Sequence, residues 1–220
     1  MTPNRPRALV LVSGTSTEVG KTWWSAAMAR TLRSQGRSVA ARKPAQSFDP
    51  DDATTDAAVL GAATGEDEAT VCAPHRSYEV SMAPPMAAAA LGRPGFSITD
   101  LMTELTWPAD VDVGFVESAG GPRSPLADDG DTIALATALA PDLVVLVADA
   151  GLGTINAVRL AHDAFGTLAP VVVALNRYDD SLTLHRANRG WLEATSGLSV
   201  VTDPNALANR IVEPGVASFR

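Results

Sequence analysis

Apolar residues in this chain fall in short dense blocks, separated by polar segments that glycine and proline punctuate. Six blocks, at 8–12, 39–42, 111–116, 143–148, 171–175 and 199–201, read as strands. Several are continuous runs of valine, leucine and alanine, as a parallel sheet covered on both sides requires, and 143–148 reads as a central strand. Between the strands the apolar spacing widens to three and four. Trp24, Met28 and Leu32 share one face of a helix over 22–35, with Gly36 as its C-terminal cap. Asp56 opens a short helix over 57–63; its carboxylate is either a plain cap or a group facing a metal ion. Proline starts a helix over 83–91. Ser97, with Asp100 three residues on, caps another that carries Ile98, Leu101, Met102 and Leu105 on one face. Ile155, Val158, Ala161, Phe165 and Leu168 mark a further helix, and Ser181 begins one that reaches about Thr195. The stretch 46–55 reads as a mobile loop, its acidic run Asp49, Asp51 and Asp52 a solvated face in preference to a metal site, and the tail from Asn205 is weakly patterned. This alternation predicts an α/β fold built as one domain over 1–220, with a mostly parallel central sheet and helices on both faces.

The polar residues at the carboxyl ends of these strands carry the chemistry, because open α/β sheets bind ligands there. The first strand runs into Gly14-Thr15-Ser16-Thr17-Glu18-Val19-Gly20-Lys21-Thr22, which reads as a P-loop between a strand and a helix. Its backbone N–H groups, from Glu18 through Val19 and Gly20, are suited to wrapping a phosphate. Lys21 is placed to reach the outer phosphates and the Thr22 hydroxyl to ligate Mg²⁺. The fold is therefore that of a P-loop NTPase. The third strand ends in Glu117-Ser118-Ala119-Gly120-Gly121, with an acid in the Walker-B position for Mg²⁺. Gly151-Leu152-Gly153-Thr154-Ile155-Asn156 is a second glycine-rich helix start, hence a second possible anion site. Asn176 ends the fifth strand with an amide suited to a purine edge.

Composition sharpens one of these assignments. Of seventeen basic residues only Lys21 and Lys43 are lysines; the other fifteen are arginines. A compact, flexible ammonium is retained where the planar guanidinium is no substitute, which makes Lys43, at a strand end before Pro44, a candidate for the Lys21 site. The net charge of −8 argues against nucleic acid and anionic membranes as partners, while leaving room for a small anion in a locally basic cleft. No apolar run approaches a membrane span. The polar start and the single cysteine, Cys72, are those expected of a cytoplasmic protein. His75, His162 and His185 are scattered, with no metal-ligand spacing, and Trp23, Trp24, Trp107 and Trp191 are read as packing residues.

Taken in order, these motifs resemble dethiobiotin synthetase, an ATP-dependent ligase of biotin biosynthesis. The loop 14–22 with its glutamate, Lys43-Pro44-Ala45-Gln46-Ser47, Asp56-Ala57-Ala58-Val59-Leu60, residues 116–121, residues 152–156 and Asn176 each match that family's segments. The resemblance implies a homodimer with its active site at the subunit interface, acting on a 7,8-diaminononanoate-type diamine, CO₂ and ATP. It assigns nucleotide binding to Glu18, Val19, Gly20, Lys21, Thr22 and Asn176, and Mg²⁺ to Thr22, Asp56 and Glu117. It makes Lys21, Lys43, Thr17 and Ser47 the catalytic and substrate-contacting groups, beside Gly120 and Gly121. It places Leu152, Gly153, Thr154 and Asn156 on the substrate carboxylate from across the interface.

Three departures lie close to the implied substrate: Phe48 and Ser118 replace glycines of the family, and Arg123 adds a charge after Gly121-Pro122. Two other functions fit the same loop. One is a related P-loop ligase with a different amine or carboxylate substrate. The other is a nucleotide-switched, partition-type ATPase, a class that carries a second lysine early in the loop, where this chain has Thr15.

Overall fold

The computed structural model describes residues 4–212. The chain runs through β1 (Ala8–Gly14), α1 (Lys21–Ser34), β2 (Val39–Arg42), β3 (Gln46–Ser47), α2 (Asp56–Thr64) and α3 (Glu68–Val71). It continues with β4 (Ser77–Tyr78), α4 (Pro84–Ala90), α5 (Ile98–Glu104), β5 (Val113–Glu117), β6 (Pro125–Ala127), β7 (Gly130–Asp131) and α6 (Thr132–Leu139). Then follow β8 (Leu143–Asp149), α7 (Thr154–Phe165), β9 (Val171–Asn176), α8 (Thr183–Ala194), β10 (Ser199–Val201) and α9 (Pro204–Val212). Six strands form one parallel sheet in the order β10-β9-β8-β1-β5-β2.

Each strand feeds both faces of the sheet, because successive side chains alternate. Val10 and Val12 of β1 join Trp24, Met28 and Leu32 of α1, Leu60 of α2 and Leu207 and Ile211 of α9. Leu9 and Leu11 join the opposite cluster with Leu101 of α5, Leu135 of α6 and Phe165 of α7. The continuous apolar runs are thus a consequence of two covered faces.

Chain order places the site. From β1 the chain leaves toward β2 at one edge, returns through β5, then builds outward through β8, β9 and β10 on the other side. β1 is therefore where the winding reverses, and the loop after it opens into the crevice at the carboxyl edge. Parallel register puts Glu117 beside Val12, two residues before the loop begins.

Several local expectations are revised. Residues 132–139, carrying no periodic signal of their own, form α6; Asp131 starts it, its carboxylate accepting from the Ile133 and Ala134 N–H groups at 2.9 and 3.0 Å. The tail is not pattern-poor as far as Val212: α9 packs on α1, where the Thr31 hydroxyl donates to Asn205 at 2.5 Å and the Gln35 amide to Asn209 at 2.6 Å. Residues 1–3 of the polar start and 213–220 of the tail lie outside the described residues. The stretch from Gln46 is not wholly solvated, since Gln46 is buried and pairs with Ser77 in the β3–β4 ribbon. α8 begins at Thr183, because the Ser181 hydroxyl donates to Asp179 instead of capping the helix. Trp24 and Trp107 are buried as expected, whereas Trp23 is exposed and meets Trp24 only edge-on.

Candidate functional site

The phosphate loop is one residue longer than the standard P-loop pattern: five residues, not four, separate Gly14 from Gly20. The longer loop passes through a left-handed conformation at Glu18 (φ 58°) and again at Gly20 (φ 99°). A side chain at Gly20 would meet the Asn176 amide nitrogen at 2.1 Å, and one at Gly14 would meet Val19 at 2.7 Å. Close approach requires both glycines, and at Gly20 the left-handed backbone requires one as well. Two groups from the end of β9 pin the loop. Asn176 Nδ2 donates to the Val19 carbonyl at 2.9 Å, and Arg177 donates to the Glu18 carbonyl at 3.2 Å while pairing with Asp149.

Lys21 opens α1 and is buried, with Nζ donating to the Ser16 carbonyl at 3.1 Å. Burial, and the nearby Lys43 ammonium after it, lower its pKa to about 8. Thr22, next on the helix, has its hydroxyl 2.6 Å from Asp56 Oδ1 and 2.8 Å from Glu117 Oε1. Lys43 Nζ donates to Asp56 Oδ2 at 2.6 Å and to Glu117 Oε1 at 2.8 Å. Four elements, α1, β2, α2 and β5, thus deliver one compact cluster. Glu117 is fully buried and is satisfied by Thr22, Lys43 and the Ser25 hydroxyl, which donates to Oε2 at 2.8 Å. The Lys43 side chain is 2% exposed, whereas Asp56 is 43% exposed and faces the cleft. Burial opposes the charge on Lys43, but the Glu117 and Asp56 carboxylates outweigh it and hold the pKa above the ordinary lysine range. The Lys43 charge in turn depresses Asp56 to about 2.

The structure shows that Asp56 is not the cap of α2. Thr55 is the N-cap of α2, its hydroxyl accepting from Ala58 N–H at 3.1 Å. That leaves the Asp56 carboxylate free to point at Thr22 and Lys43. Thr55 also donates to Glu68, and Gln46 accepts from the Ala57 N–H at 3.0 Å, so the start of α2 is held from both sides.

A cleft of about 540 Å³ opens over this cluster. Thr17, Ser47, Phe48, Met82 and Gly120 line it alongside Lys21 and Lys43. Gly121 is buried behind it, next to the Thr15 carbonyl. The Ser47 hydroxyl donates to the Met82 carbonyl. Of the departures from the family pattern, Phe48 alone lines the cleft. Ser118 is buried against the Val12 carbonyl, and Arg123 turns to Asp131 at 3.1 Å. Leu152, Gly153, Thr154 and Asn156 lie outside this cleft, at the start of α7; Leu152 is 92% exposed. Their turn is held by Asn188, whose Nδ2 donates to the Ala150 and Gly151 carbonyls at 2.9 and 2.8 Å.

Sequence reasoning missed Ser25, Gln46 and Arg177. Ser25 had a legible signal, lying three residues after Thr22 on the same helix face. Gln46 and Arg177 had none, since each acts on a carbonyl, N–H or hydroxyl brought near by folding.

The donor set suits Mg²⁺. Two carboxylates and a hydroxyl are hard oxygen ligands too few to enclose an ion, and among the described residues no group of three or more His, Cys, Asp or Glu is arranged to hold one. That is the pattern for an ion that keeps waters and phosphate oxygens in its shell.

A winding reversal with a phosphate loop, a loop lysine and an acid on the neighbouring strand defines the P-loop class of nucleoside-triphosphate-binding proteins. A family model described as an AAA domain matches residues 8–203. The plasmid partition protein of Borrelia burgdorferi superposes with a TM-score of 0.57 over 95% of this chain and 97% of its own, at 14% identity, a likeness of fold alone. The ATP-dependent dethiobiotin synthetase of Haloferax mediterranei is 34% identical over 88% of this chain and 82% of its own length. That of Rhodococcus jostii is 35% identical over 96% of this chain and 91% of its own. The chain belongs to the dethiobiotin synthetase family.

Proposed function

We propose that this protein is an ATP-dependent dethiobiotin synthetase, a cyclo-ligase of biotin biosynthesis that joins CO₂ to a 7,8-diaminononanoate-type diamine. Family membership supports the activity. The observation that carries the site reading is the convergence of Lys43, Asp56, Glu117 and Thr22 within 2.6–2.8 Å beside Lys21, at the floor of a cleft roomy enough for a phosphate chain and a slender acceptor.

In this reading one amine of the substrate adds to CO₂ and loses a proton, giving a carbamate. A carbamate oxygen attacks the γ-phosphorus, the bond to the bridging β–γ oxygen breaks, and ADP leaves. The second amine attacks the carbamoyl carbon of the resulting mixed anhydride, expels phosphate, loses a proton and closes the cyclic urea. Such phosphoryl transfer needs positioning and charge stabilisation more than a histidine base. The loop Glu18 to Thr22 cradles the triphosphate, and Lys21 and Lys43 neutralise charge on the transferring group. Thr17 and Ser47 orient carbamate and phosphoryl oxygens, with Gly120 and Gly121 leaving room beside them. Thr22, Asp56 and Glu117 hold Mg²⁺, which supplies further neutralisation of phosphate charge when bound. In the same reading Asn176, whose Nδ2 holds the Val19 carbonyl, serves the purine edge.

The reading extends to a homodimer. Exposed Leu152 and the start of α7, outside the lining of their own cleft, serve the partner's site by holding the substrate carboxylate through Gly153, Thr154 and Asn156. Cytoplasmic residence belongs to it too; Cys72 is a free, buried thiol, and among the described residues no helix is long and apolar enough to cross a membrane.

The deciding experiment is turnover with ATP, bicarbonate and diaminononanoate, following ADP release and the cyclic urea product. ADP release that requires the diamine is expected. Slow hydrolysis indifferent to it would instead identify a nucleotide switch, and activity with another amine a different ligase.

A further inference from the structure

The Lys43 ammonium sits between the two carboxylates that the proposed function assigns to Mg²⁺. It lies 2.6 Å from Asp56 Oδ2 and 2.8 Å from Glu117 Oε1, and the same two carboxylates are the ones that reach the Thr22 hydroxyl. With Lys43 2% and Glu117 0% exposed, neither charge can turn to bulk water where it stands. A divalent ion on Glu117 Oε1 and Asp56 competes with an ammonium in direct hydrogen-bond contact with both, because like charges at such spacing repel. Nor can Lys43 be released without a new anion. Its only other charged neighbour in the cluster is Lys21, which repels it.

We infer that Lys43 is a built-in counter-cation that keeps the metal site closed until nucleotide phosphates arrive to receive it. Mg²⁺ entry displaces the ammonium from Asp56 and Glu117, and the displaced ammonium moves onto the phosphates. Metal and nucleotide therefore bind in concert, beyond the chelation they show in solution, and the protein takes up little metal alone. The coupling places Lys43 on the transferring phosphate only when the metal is in place. This inference rests on the nucleotide-and-metal half of the proposed function and is independent of the identity of the amine.

Two measurements test it without turnover. The first is Mn²⁺ binding by electron paramagnetic resonance in the absence of nucleotide. Lys43→Met is expected to bind Mn²⁺ at least about tenfold more tightly than wild type, the factor by which an occupied site depresses apparent affinity when nine molecules in ten are closed. Equal or weaker binding by the variant overturns the inference. The second uses the wild-type chain, in case Lys43→Met does not fold. Because Lys21 and Lys43 are the two lysines of the sequence, ¹⁵Nζ-labelled lysine gives one side-chain signal for each. The Lys43 signal is expected to hold its position with millimolar Mg²⁺ alone and to move when Mg²⁺ and a non-hydrolysable ATP analogue are added together. Movement with Mg²⁺ alone, or none with both, overturns it. Either result can stand beside diamine-dependent turnover, so failure here is distinct from failure of the ligase reading.

Discussion

At the scale of the residue, the two lysines have opposite environments. Lys21 is buried with no carboxylate in direct contact, and its pKa falls to about 8; Lys43 is buried between two carboxylates and stays charged. In the free protein Lys21 thus loses its proton above about pH 8, while bound phosphate favours the charged form. ADP binding at about pH 9 is expected to take up a proton, read as a calorimetric heat that varies with the ionisation enthalpy of the buffer. Lys21→Met should abolish that dependence. For Lys43, replacement by arginine keeps charge but not shape, since a planar fork cannot sit between Asp56 and Glu117 and then follow a tetrahedral phosphoryl group. Lys43→Arg is expected to lower kcat by about 10²-fold or more, the scale of one lost transition-state contact, with the thermal midpoint within a few degrees of wild type. Near-normal turnover would show that lysine scarcity was coincidence. Phe48 is the family departure that reaches the cleft. Phe48→Gly should lower the KM for the diamine with kcat little changed, and an unaltered KM would remove the ring from the substrate path.

At the scale of the element, catalytic geometry depends on where α2 begins. Thr55 caps the helix and thereby frees Asp56. Thr55→Ala should cost about 1 kcal/mol in chemical denaturation, the usual worth of a cap. It should also raise the Mg²⁺ concentration needed for half-maximal turnover, because Asp56 can then slide into the capping role. A loss of stability with no change in metal demand would mean that Gln46 alone fixes the start of α2. The end of α1 is secured by a different device. Arg37 N–H donates to Leu32 O and Gly36 N–H to Arg33 O, the double closure that Gly36 permits at φ 77°. That glycine was legible in sequence, as was the Ser97–Asp100 capping box of α5. Helix α6 was not, because its eight residues are short and apolar almost throughout, leaving no polar face to set a period.

At the scale of the whole molecule, one sheet edge gathers the phosphate loop, Lys43 and Glu117, while Leu152 and the start of α7 stand apart from that cleft. If α7 serves a partner's site, Leu152→Asp should shift sedimentation toward monomer and raise the diamine KM at least about tenfold, as expected when an apolar side chain that a partner would cover becomes a charge. ADP binding should be retained. A monomeric, fully active wild type would refute the shared site.

The sequence alone determined the strand and helix alternation, the phosphate loop, the two lysines and the strand-terminal acid, because each is written in local spacing or residue chemistry. Tertiary structure alone decided what those groups do to one another. Thr22, Lys43, Asp56 and Glu117 span 95 residues of sequence, yet their polar atoms meet within 2.8 Å. The reversal of winding at β1 brings them together, the cap at Thr55 turns Asp56 inward, and burial makes a shared ammonium the counter-charge that two carboxylates require.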